Sequence, residues 1–116
     1  LKPVATLADV IALKHAVEDI RISEELKRYV VDLVAATRIA PSVQLGASPR
    51  ASIALMKTAQ ATALFDGHDF VTPEHIQKLA VPVIAHRVVL EPQARFSGVT
   101  RRGVVEDILK RLKVPA

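Results

Sequence analysis

The stretch with the clearest chemical content is Leu45-Gly46-Ala47-Ser48-Pro49-Arg50-Ala51. Gly46 breaks the preceding loop. Ser48 is a preferred helix N-cap, and Pro49 suits the first helical position, where its missing N–H had no partner to lose. Arg50 then falls at the second position. That choice breaks a local rule, because a cation near a helix N-terminus is disfavoured by about 0.3–1 kcal/mol. Helix N-termini attract anions, since unpaired N–H groups and the helix dipole converge there. An arginine beside such a site makes sense if an anion is to be bound, and its planar fork matches phosphate geometry. Local rules tend to be broken at functional sites. The residues alone leave two readings: a solvated, tolerated Arg50, or a phosphate ligand.

Other chemistry is scarce. The chain has no G-x-x-x-x-G-K-[ST] phosphate loop, no G-x-G-x-x-G and no G-x-S-x-G nucleophile elbow. Of the serines Ser23, Ser42, Ser48, Ser52 and Ser97, three fall at expected helix starts, where capping explains them. No two of His15, His68, His75 and His86 stand at the i, i+4 spacing that puts two metal ligands on one helix face. They read as surface or core-edge histidines. Glu24 and Glu25 are adjacent but point apart, in a first turn where the dipole favours acids.

The elements that must position Arg50 are helical almost throughout. Thr6 caps a helix over about 6–18, with Asp9 completing a capping signal and Leu7, Val10, Ile11, Lys14 and Val17 at helical spacing. Ile20–Ile22 reads as a short extended link. Ser23 caps a second helix over about 24–38, whose buried face is Leu26, Val30, Leu33, Val34 and Thr37. A loop from Ile39 to Ala47 leads to the Ser48-Pro49 start of an alanine-rich third helix, which runs to about Phe65, ends at Gly67 and is expected to be central. Asp69–Val71 is a candidate partner for Ile20–Ile22. Thr72-Pro73-Glu74 opens a fourth helix to about Ala80, interrupted by Pro82, with one more turn over 83–87. Residues 88–99 read as irregular, and Thr100 starts a last helix with Val105, Ile108, Leu109 and Leu112 on one face. The expectation is an all-α bundle of four to five helices with one very short two-stranded pairing.

Composition agrees with a single packed domain. Half of the 116 residues are apolar, while aromatics make up 3%, so Leu, Ile, Val and Ala must build the core. Without cysteine there is no disulfide scaffold and no thiolate metal site. No apolar run approaches the roughly 20 residues of a membrane span, and the expected setting is the cytoplasm, with no membrane partner. The chain starts at Leu1 and not Met, as a segment of a longer protein would. The charge of +4 permits nucleic acid. Yet Arg21, Arg28, Arg38, Arg87, Arg95, Arg101 and Arg102 are spread along the chain and not gathered on one recognition helix. A helical DNA-binding domain is therefore the weaker alternative, beside a protein-interaction module with no nucleotide role.

Residues 29–51, from Tyr29-Val30-Val31-Asp32 through Leu45-Gly46-Ala47-Ser48-Pro49-Arg50-Ala51, resemble the lid segment of MoxR-family AAA+ ATPases. Phe70-Val71-Thr72-Pro73-Glu74-His75-Ile76 and Ala85-His86-Arg87 resemble it too, so the similarity runs from about residue 7 to 112. The resemblance implies one small helical lid domain over 1–116 and gives Arg50 the sensor-2 role, reaching to the terminal phosphates of ATP. It makes Ser48, Pro49, Tyr29 and Val30 candidate nucleotide contacts. For Arg38, at the favoured cationic end of the second helix, it adds a role near nucleotide or a subunit boundary. ATP and Mg2+ would serve the full-length protein, with no cofactor expected on the lid alone. The implied partners are the protein's own AAA+ core, neighbouring subunits of a ring (with the 88–99 loop and the 100–112 helix as candidate contact surfaces), and von Willebrand factor A-domain proteins in chaperone-like remodelling. The family's phosphate loop, magnesium-binding acids, catalytic glutamate and arginine finger are not in this sequence, so it would not hydrolyse ATP alone.

Overall fold

Side-chain caps start most of the helices in the computed structural model, which describes residues 1–115. Helix α1 is Leu7–Glu18, α2 Glu24–Ile39, α3 Pro49–Phe65, α4 Pro73–Ile84, α5 Pro92–Phe96 and α6 Arg101–Arg111; strands β1 (Val43–Leu45) and β2 (Val89–Leu90) and a 3-10 turn at Ala85–Arg87 complete the order. Thr6, Ser23, Thr72 and Thr100 each accept a hydrogen bond from the third backbone N–H of the helix they begin. At the other end of α3, Gly67 adopts φ +79°. Its N–H donates to the Leu64 carbonyl and that of His68 to the Ala63 carbonyl, the left-handed closure that suits glycine.

Helix α3 is the hub, packed by α1, α2 and α4. Its small residues Ala51, Ala59 and Ala63, with Leu55, are wholly or almost wholly enclosed. They repeat every fourth position, so one stripe of α3 lets neighbouring backbones come close. Leu33 and Val34 of α2, Ile76, Ala80 and Ile84 of α4, and Val104, Val105 and Ile108 of α6 fill the same core. The expected face of α2 is buried in full.

Several expectations are corrected. There are six α-helices among the described residues, because the stretch read as irregular contains β2 and the five-residue α5. The loop after α2 contains β1, which pairs antiparallel with β2 (Val43 opposite Leu90, Leu45 opposite Val89). The pairing expected between the 20–22 and 69–71 segments is present, as a single parallel bridge of Arg21 with Phe70. Pro82 does not interrupt α4. It lies on the exposed face, as does Lys78 four residues earlier, so water can serve the carbonyl that proline cannot, while Ile76, Ala80 and Ile84 hold the buried side. Finally, the apolar repeat of α1 is not buried: no residue of that helix is enclosed, and Leu7 is 75% exposed.

Candidate functional site

The start of α3 is fixed from behind by the end of α2. Thr37 is completely enclosed. Its hydroxyl donates to the Val34 carbonyl at 2.6 Å and accepts the Ala47 N–H at 2.9 Å. The Arg38 guanidinium donates through Nη1 to the Ala47 carbonyl at 2.8 Å. Both polar groups of Ala47 are therefore held by consecutive residues of α2. Gly46 lies so close that a Cβ there would stand 2.6 Å from the backbone N and Cα of Arg38. Only glycine permits this approach, for steric reasons and without a positive φ.

Three residues further on, the helix begins. Ser48 occupies the N-cap position as expected, but its side chain makes no capping bond, unlike the caps of α1, α2, α4 and α6. Pro49 has no N–H to offer, and the Ala51 N–H turns back to the Ser48 carbonyl at 2.9 Å. The Ser48 hydroxyl is thus not spent on the first turn. Ser48, Pro49 and Arg50 are all exposed. Among the described residues, the ion pairs involve His15, Arg21, Lys27, His75 and Arg102, and no carboxylate partners Arg50. The physical setting is an exposed, unpaired guanidinium on a helix N-terminus whose first turn its own cap leaves open. Such an arrangement can take an oxyanion through the fork and the backbone dipoles together.

The other candidate contacts are placed elsewhere. Val30 is fully enclosed and Tyr29 is 3% exposed, both within the core. Among the described residues, the buried Tyr29 hydroxyl has no hydrogen-bond partner. His75 is a core-edge histidine: its Nδ1 accepts the Thr72 N–H at 3.0 Å, which leaves Nε2 to donate to Asp66 at 3.1 Å. That ties the end of α3 to the start of α4. No group of side chains among the described residues could hold a metal ion. Sequence reasoning passed over the roles of Thr37 and Gly46 and saw Arg38 chiefly as a dipole-favoured cation. Ala47, which Thr37 and Arg38 hold, lies ten and nine residues away from them, across a connection that no local pattern specifies.

Comparison with known proteins supplies the frame for this geometry. The family model described as "AAA lid domain" matches residues 35–108. The chain is 46% identical over 115 residues to the uncharacterized protein YeaC of Bacillus subtilis (strain 168), covering 99% of this chain and 36% of that protein. It is 28% identical over 123 residues to Chaperone MoxR1 of Mycobacterium tuberculosis (strain ATCC 25618 / H37Rv), covering 98% and 33%. Among solved structures, a putative ATPase from Cytophaga hutchinsonii superposes with a TM-score of 0.90 at 33% identity, over 94% of this chain and 36% of that one. The chain thus spans about a third of the length of the curated relatives it matches.

Proposed function

Because this chain belongs to the AAA lid domain family and is a lid of the MoxR type, we propose that it completes the nucleotide site of an AAA+ ATPase through Arg50. In this reading the guanidinium reaches from the first turn of α3 to the terminal phosphates of an ATP held by the α/β core of the full-length protein. The open N-terminus at Ser48 and Pro49 faces the same anion. Magnesium would be held by the phosphates and by acidic residues of that core. The observation that supports this reading best is Arg50 itself, exposed and unpaired where local energetics disfavour a cation.

The contact contributes in two ways. A preorganised cation stabilises charge on the transferring phosphoryl group. It also depends on which phosphates are present, so it biases the angle between lid and core by its differential affinity for the two states. Ring assembly, chaperone-like remodelling of partner proteins such as those with von Willebrand factor A domains, and a cytoplasmic setting belong to the same proposal. The apolar surface of α1 (Val10, Ile11 and Leu13, each about half exposed) is better suited to contact with core or neighbour than α6, whose Val104, Val105 and Ile108 are spent on the lid's own core. From the 88–99 stretch, Val89 and Phe96 remain exposed and available.

The test is ATP turnover by the full-length enzyme carrying Arg50→Ala. Hydrogen bonds to charged groups contribute about 1.5–3 kcal/mol, so turnover should fall about 10- to 100-fold with the melting temperature unchanged. Turnover and nucleotide-dependent assembly at wild-type levels would refute the proposal.

A further inference from the structure

We infer that Arg38 is a positioning residue for Arg50: by holding the Ala47 carbonyl, it fixes the start of α3 and so the place from which the Arg50 guanidinium is presented. The inference rests on the nucleotide role given to Arg50 above. Arg38 is exposed, and among the described residues no carboxylate pairs with it. Its recorded hydrogen bond goes to Ala47, at 2.8 Å. The N–H of the same residue is held by Thr37, and Gly46 is pressed against the Arg38 backbone. Ala47 is therefore held through both its N–H and its carbonyl, and only Ser48 and Pro49 separate it from Arg50. Proline fixes its own φ, so little freedom remains between clamp and guanidinium.

The energetic logic is asymmetric. Ser48 spends no side-chain bond on the helix it starts, so the first turn of α3 lacks the local restraint that the other long helices possess. The tertiary clamp from α2 takes its place. Releasing the carbonyl of Ala47 loosens only the edge of the core at Ala47 and Ala51, because Leu55, Ala59 and Ala63 lie one to four turns further along α3. What is lost is alignment, and a misplacement of about 1 Å can cost up to 100-fold in rate.

The experiment uses the full-length protein with Arg38→Ala, Arg38→Met (which keeps the aliphatic stem), Arg38→Lys, Arg50→Ala and the Arg38→Ala/Arg50→Ala double variant. Both donor-less variants should lose about 10-fold in kcat with little change in melting temperature. Lysine can still donate to one carbonyl and should recover to within about 3-fold of wild type. The double variant should be no slower than Arg50→Ala alone, since one residue acts through the other. Without nucleotide, amide exchange over residues 47–51 should quicken about 10-fold in Arg38→Ala and not in Arg38→Lys. Multiplicative losses in the double variant, no rescue by lysine, or unchanged exchange would each overturn the inference. Wild-type turnover in Arg38→Ala beside an impaired Arg50→Ala would overturn it alone. A silent Arg50→Ala would instead remove the nucleotide role on which it rests.

Discussion

At the scale of single residues, the helix starts of this protein divide by what they spend. Thr6 and Asp9 bond each other reciprocally: the Thr6 N–H donates to the Asp9 carboxylate at 2.9 Å and the Asp9 N–H to the Thr6 hydroxyl at 3.1 Å. The backbone bond from Thr6, then the bond from its hydroxyl, hold the Asp9 carboxyl below its usual value of 3.8. A folded-state value lowered in this way gives stabilisation that is complete above the usual carboxylate value and lost as pH falls through the folded one. Protection of the first α1 amides should therefore drop below about pH 3.8, while α3, whose first turn carries no acid, keeps its own. Equal acid sensitivity of the two helices would contradict this account. Ser48 is the counter-case: its hydroxyl makes no capping bond at a helix start that, like that of α6, carries arginine and no acid.

At the scale of elements, burial predicts which helices hold the lid together. Leu55 of α3 is wholly enclosed, and Leu13 of α1 is 45% exposed. Leu55→Ala should cost about 2–5 kcal/mol in chemical denaturation, and Leu13→Ala about 0.5 kcal/mol or less. Comparable losses would mean that α1 belongs to the same core. The long helices were legible in the sequence because capping residues and period-four apolar stripes act locally; the starts at Thr6, Ser23, Pro49, Thr72 and Thr100 are where those signals put them. The two strands were not, since three and two residues are too few to show alternation and their pairing is set by where α2 and α4 end. Pro82 misled for a related reason: the cost of proline in a helix depends on whether the orphaned carbonyl meets water, a tertiary fact. The anomaly at Arg50 was legible as a broken rule, and the structure adds that it is exposed and has no carboxylate partner among the described residues.

At the scale of the whole molecule, the chain on its own should be a poor ATP binder. One charge-assisted contact of about 1.5–3 kcal/mol falls short of the roughly 4 kcal/mol that millimolar affinity requires. Calorimetric titration of this chain with ATP should show no saturation below the millimolar range, and micromolar binding would mean that a site other than Arg50 is at work. The shape agrees with a part made to be completed by something else. The radius of gyration is 16.3 Å, against about 13 Å for a compact domain of this size, and the body measures 50 × 40 × 20 Å. Its least dimension admits two layers of helices, each about 10 Å across, and α3 is packed by α1, α2 and α4. The core shared by α2, α3, α4 and α6 lets this plate move as one body. If it swings by about 10°, within the range of hinged domains, an edge 50 Å from the pivot travels about 9 Å, so a small displacement at a phosphate becomes a stroke several atoms long at the opposite rim.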